Sequence, residues 1–198
     1  IVSDDKGASD AVTVNVSVAN VAPAIASFSG ATIIRGEQYS TSGSFTDPGA
    51  DTWTATVNYG DGGGASALTL TGKTFTLNHT YPVAGTYTVT VTVNDGAVTS
   101  TRTATVVVES AAQAIGDVQA MVDALGGPSG ALNAGQVQSL QAVLRNALRL
   151  LADHDTPATA NMLNAFLNEV QGLVNGGQLT SAQADPIAAY LQRVINSL

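Results

Sequence analysis

At Ser110 the residue pattern of this chain changes period, and that change divides it into two parts that must fold differently. From Ile1 to about Glu109, Val and Thr dominate and alternate apolar with polar between turns of Gly and Asp, the pattern of short antiparallel strands. Beyond Ser110 the β-branched residues thin out. Ala, Leu, Gln and Asn take over at helical spacing, so the boundary falls at Ser110–Gln113. A chain of 198 residues has room for two ordinary domains, and a 44% hydrophobic content excludes wholesale disorder.

The strand pattern predicts elements over Val12–Val18, Ala24–Phe28, Tyr39–Phe45, Thr52–Tyr59, Ala67–Leu70, Thr74–Asn78, Gly85–Val93 and Thr103–Val108. Turns at Asp47-Pro48-Gly49, at Gly60 to Gly64 and at Asn94-Asp95-Gly96 separate several of them. Along Thr86–Val93, Tyr87, Val89, Val91 and Val93 share one face and four threonines the other, as a strand of a two-layer sandwich requires.

The second part predicts four helices, about Ala114–Leu125, Asn133–Asp153, Pro157–Val174 and Ser181–Leu198. Asn133 with Gln136 and Thr180 with Gln183 have capping-box spacing, Pro157 suits a first turn, and Gly126-Gly127 and Gly176-Gly177 are stops. Pro186 either kinks the fourth helix or marks its true start after Asp185. The segment also repeats itself. At an offset of 47, Leu132, Leu140, Leu144 and Leu151 align with Leu179, Ile187, Leu191 and Leu198; at 48, Ile115, Val118, Val122 and Leu125 align with Leu163, Phe166, Val170 and Leu173. The expected fold is therefore multidomain β plus α: an immunoglobulin-like antiparallel β-sandwich followed by a four-helix bundle made of two helical hairpins.

The formal charge is −8, with nine acidic and four basic residues in 1–110 and six and three in 111–198. Neither part offers the basic surface that phosphates demand, so nucleic acid is excluded as an expected partner, and no run of about 20 apolar residues suits membrane insertion. There is no cysteine, hence no disulfide framework and no thiolate chemistry. The chain starts at Ile1 without a signal-peptide pattern and reads as cut from something longer.

Several motifs occur in order: Tyr59-Gly60-Asp61-Gly62, then His79-Thr80-Tyr81, then Gly85-Thr86-Tyr87 and the Val/Thr run closing on Asn94-Asp95. Together they resemble the polycystic kidney disease (PKD) domain of bacterial exoproteins over about Asn20 to Glu109, although Val57 stands where many members have Trp. Val2-Ser3-Asp4 echoes Val93-Asn94-Asp95, and Val12–Val18 echoes Thr103–Val108. Residues 1–20 thus read as the last strand of a preceding PKD-like repeat and its linker, 21–110 as a PKD-like sandwich and 111–198 as a C-terminal helical bundle. The runs Leu132–Gln136, Leu140–Leu144, Asn161–Phe166 and Leu179–Ala184 resemble a helical module of bacterial secreted proteins described as FIMAH-like.

The PKD resemblance implies a structural calcium ion held by Asn20, Asp47, Asp51 and Asp95, with Asp4 and Asp5 as the equivalents of the preceding repeat. The spacing departs from the family pattern, since Asp47 and Asp51 lie four apart where the pattern prefers two; without a metal these residues simply form turns. Asp61 reads as a turn residue bonded to its own loop rather than a catalytic carboxylate, His79 as a packed structural residue and His154 as a solvated loop residue. No nucleophile elbow, phosphate loop or HExxH pattern occurs. Trp53 shares a strand face with Ala55, Val57 and Tyr59 and is expected in the core.

These readings point away from an enzyme and toward a non-catalytic structural or adhesive module of a secreted or cell-surface protein. Its expected partners are other extracellular protein domains or a surface polymer. Two alternatives stay open: an accessory polymer-binding end of a secreted hydrolase, and a homo-oligomeric filament subunit that donates residues 1–19 as a strand.

Overall fold

Alternation at every second residue sorts the first half of the chain into wet and dry faces, and two sheets close over the dry ones. The computed structural model describes residues 2–3, 6, 9–15, 19–49, 51–128 and 130–198. The strands are β1 (Val2–Ser3), β2 (Ser9–Asp10), β3 (Ala24–Ile25), β4 (Ala31–Ile34), β5 (Gln38–Thr46), β6 (Thr54–Asn58), β7 (Ala65–Ala67), β8 (Leu70–Thr71), β9 (Thr74–Thr80), β10 (Gly85–Asn94) and β11 (Thr99–Glu109). One sheet has the order β4-β11-β10-β6-β7 and the other β3-β5-β9-β8, a sandwich of immunoglobulin type. Tyr39, Phe45, Phe75 and Leu77 from one sheet meet Ala55, Val57, Val89, Val91, Val93, Val106 and Val108 from the other, all buried.

Three features differ from the sequence reading. The expected strand Ala67–Leu70 is two short strands, because the chain leaves β6 at β7 and crosses to β9 in the other sheet at β8. Strand β4 was not expected; it is short, and it pairs in parallel with β11. Gly30 permits that approach, since a β-carbon there would overlap the Thr105 carbonyl. Thirdly, of the expected strand Val12–Val18, residues 11–15 carry no strand assignment, Val12 and Val14 are 83% and 77% exposed, and Val16 to Val18 lie outside the described residues, as do Asp4 and Asp5.

The helices are α1 (Ala111–Ala124), α2 (Ala134–Ala152), α3 (Thr156–Asn175) and α4 (Ser181–Asn196). They close in a ring in which α1 touches α2 and α4, and α3 touches the same two. The internal repeat is visible as matched packing. Ile115 and Leu163, Val118 and Phe166, Leu140 and Ile187, Leu144 and Leu191 are buried pairwise, and Leu132 and Leu179 plug the two loops. Asn133 and Gln136 bond reciprocally across the start of α2, and at α4 the Gln183 side chain accepts from the Thr180 N–H and hydroxyl. Ser110 and Gln113 form a third such box at α1. Pro186 lies inside α4, which begins at Ser181; its exposed position leaves the freed carbonyl of the preceding turn to water.

Candidate functional site

The acidic turns come first because the sequence singles them out. Asp95, buried at the turn between β10 and β11, accepts from the backbone N–H groups of Ala97 and Val98 at 2.8 and 2.7 Å and from Asn20 Nδ2 at 2.8 Å. These bonds, that from Asn20 foremost, hold its carboxyl below the usual carboxylate range. Asn20 thus ties the entry of the sandwich to the far end of β10. Asp47 is also buried, but its oxygens are engaged elsewhere, by Gly49 N–H at 3.0 Å and by Trp53 Nε1 at 2.9 Å. The Lys73 ammonium donates to the Asp47 carbonyl and lies 4.7 Å from the centre of the Trp53 ring.

Asp51 lies half-buried nearby in sequence. Among the described residues, no three His, Cys, Asp or Glu come together in a way that could hold a metal ion. The structure therefore joins Asn20 to Asp95 but does not gather Asp47, Asp51 and Asp95 round one point.

Asp61 and His79 meet although they are 18 residues apart, His79 Nε2 lying 2.8 Å from Asp61 Oδ2. The imidazole stacks on Tyr59 at 4.1 Å and meets Tyr81 edge-on at 4.6 Å. Gly63 N–H also donates to Asp61, and this bond, ahead of the histidine, lowers the carboxyl's pKa. The pair pins the Gly-rich turn onto β9. Its hydrogen bonds run to that turn and to each other, which is a structural arrangement and not a nucleophile with its base. Trp53 is half-buried against Phe45 rather than fully enclosed.

The feature that local sequence patterns missed is the junction of sandwich and helices. Strand β11 ends at Glu109 and Ser110 caps α1 directly. The turn after β4 faces α4: Arg193 donates to Glu37 through Nε at 2.9 Å and Nη2 at 2.6 Å, and Ile34 N–H donates to the same carboxylate at 2.8 Å. Arg193, first among these, holds the Glu37 carboxyl below its ordinary range. The Arg193 guanidinium lies over the Tyr190 ring at 5.2 Å, and the Tyr190 hydroxyl donates to Glu109 and reaches Asp117 at 3.3 Å. Burial, followed by these carboxylates, pushes the phenol up. Ile34 is fully buried and belongs to the helical core.

Comparison with known proteins bears on the first half of this assembly. Residues 20–109 match the family model of the PKD domain. Similar solved structures include the PKD domain of an M14-like peptidase from Thermoplasmatales archaeon SCGC AB-540-F20, at 28% identity over 44% of this chain and 98% of that one, with a TM-score of 0.35. Titin M4 in its trigonal form is 13% identical over 46% and 100% of the two chains, with a TM-score of 0.37. Titin domain M7 is 18% identical over 47% and 99%, with a TM-score of 0.36. No curated protein matches the chain. Within the matched residues, the motif positions have visible tasks: Tyr59, Asp61, His79, Tyr81 and Tyr87 form one continuous set of ring and hydrogen-bond contacts.

Proposed function

We propose that this chain is a non-catalytic structural or adhesive unit of a secreted or cell-surface multidomain protein, in which a PKD domain carries a FIMAH-like helical module as a rigid attachment. The observation that carries this reading is the junction. A strand that becomes a helix across one capping residue, a core side chain shared with the bundle and a bidentate ion pair leave no flexible linker between the two parts. Rigid coupling suits a part that holds or presents something at a fixed angle. The test is a measurement of tumbling by nuclear magnetic relaxation: one correlation time for residues 24–109 and 111–196 supports the reading, and two distinct times overturn it.

A preceding repeat is the favoured setting of the first residues. Val2 pairs with Asp10 and Ser3 with Ser9, an antiparallel pairing like that of Val93 with Ser100 and Asn94 with Thr99 at the β10–β11 turn, with one more residue between the paired positions. Such a hairpin is the closing hairpin of a sandwich of this kind. A filament that donates residues 1–19 to a neighbour is the competing use of the same strand. Deleting residues 1–19 separates them: unchanged monomeric sedimentation supports the repeat, whereas loss of an assembly formed by the full chain supports the filament.

A further inference from the structure

The turn that joins β4 to β5 stands between two clefts at the junction, and Arg35 lines both. In the smaller one, about 190 Å³, Glu37 already neutralises Arg193. The other, about 280 Å³, is different in kind. Arg35 and His154 line it with Ser110, Thr156 and Leu151, and no carboxylate does. Among the described residues Arg35, like Arg102 and Arg145, makes no ion pair, while Arg193 and Arg149 each have one; of the unpaired three it is Arg35 that lines a cleft. Around it, the protein carries a net charge of −8.

His154 adds an observation of another sort. It stands just past the C-cap Asp153 of α2 with φ at 60°, and among the described residues it is the only non-glycine in that region. Helix α3 places Gly177 in the same position and conformation. Glycine is the residue that a helix end of this kind favours, because a β-carbon is strained there. Histidine, with asparagine and aspartate, is among the non-glycine residues that adopt this conformation most readily, and here it sets an imidazole at the border of the cleft that Arg35 lines.

We propose that this cleft binds a single carboxylate presented on a hydroxylated ring, a uronate unit of a surface polysaccharide. The Arg35 guanidinium supplies a planar fork that matches a carboxylate, and the imidazole of His154 supplies a second donor. The Thr156 hydroxyl has no partner within the described residues and serves a sugar hydroxyl, while Leu151 gives the ring an apolar contact. A volume just under the roughly 300 Å³ of the smallest drug-sized pockets fits one sugar unit and not several. The acidic surface beyond the cleft disfavours a polyanion lying along it, so recognition is confined to one unit, such as a chain end.

The experiment is a titration of the full chain with D-glucuronate, followed by amide chemical shifts, with D-glucose and N-acetylglutamate amide as comparison ligands. Saturable shifts at Arg35, Ser110 and His154 are expected, with a dissociation constant on the order of 1 mM. Arg35→Gln should weaken binding by about tenfold. His154→Gly should also weaken binding while raising the melting temperature by about 2–4 °C, a combination that a purely structural histidine would not give. Equal binding of D-glucose, tighter binding of N-acetylglutamate amide, absence of saturation, or unchanged affinity in both variants would each overturn the assignment. Because the cleft exists whether or not further repeats precede Asn20, the result bears on ligand binding and leaves the stalk role to its own test.

Discussion

Ile33 and Ile34 are consecutive on β4, yet Ile33 is buried in the core of the sandwich and Ile34 in the core of the helices. The period of two in a strand sends neighbours to opposite faces, and here both faces are covered by different domains. Ile34→Ala should therefore cost ~3 kcal/mol and lower the stability of the helices as well as the strands. Thermal unfolding followed by far-ultraviolet circular dichroism at helical and strand wavelengths checks this. Loss confined to the strand signal would mean that the side chain does not bridge the two cores.

Glu37 sets how the junction responds to acid. Its carboxyl is held below the unfolded value, so the folded state binds the proton less readily than the unfolded chain does. The stabilisation is then fully present above the unfolded carboxylate pKa, about 4.3, and is lost as the pH falls through the depressed value. Glu37→Gln should lower stability at neutral pH by about 1 kcal/mol and flatten the acid limb of a plot of stability against pH. Denaturant midpoints between neutral and strongly acidic pH measure both effects. A parallel drop of the wild-type and variant curves through that range would contradict the assignment.

Trp53 makes the calcium expectation directly observable. A divalent cation on Asp47 would change the charge and the geometry of the carboxylate that now accepts from the Trp53 indole N–H at 2.9 Å. Since Trp53 is the only tryptophan, its fluorescence reports that change without a label. From the present arrangement, adding millimolar calcium after EDTA should leave the emission spectrum and the melting temperature unchanged. A saturable spectral shift would show that the loop rearranges round the ion.

Gly30 is the residue on which the β4–β11 pairing depends. Gly30→Ala places a methyl group against the Thr105 carbonyl, so either β4 lifts away or the variant is destabilised by more than about 2 kcal/mol. Hydrogen exchange at the amides of residues 31 to 34 distinguishes the two, since lifting removes their protection and strain alone does not.

What could be read from the sequence is what depends on near neighbours. The capping boxes, the alternation of Thr86–Val93 and the matched leucines of the helical repeat act over a few residues or one period, and the structure reproduces them. Strand β4 escaped because four residues, Ala31 to Ile34, are too few to show a period. The pair of Glu37 with Arg193 escaped because 156 residues separate them and neither belongs to a local motif. Likewise, the sequence marks Asp61 and His79 individually, but only the crossing from β6 to β9 brings them together. Asp47 has the right chemistry for calcium, but its burial beside Trp53 depends on tertiary packing.

The parallel run of β4 beside β11 has a mechanical consequence. Residues 31 to 34 lie opposite residues 106 to 109 with both strands pointing the same way. When the chain is drawn out between Asn20 and Ser110, β4 is pulled from its first residue and β11 from its last, so the two slide past one another along their length. All rungs of the ladder then carry the tension at the same moment, instead of opening one after another as a hairpin does when its ends are peeled apart. A module built this way yields abruptly and at high force, and the helices fastened at Glu109 sit at the loaded end.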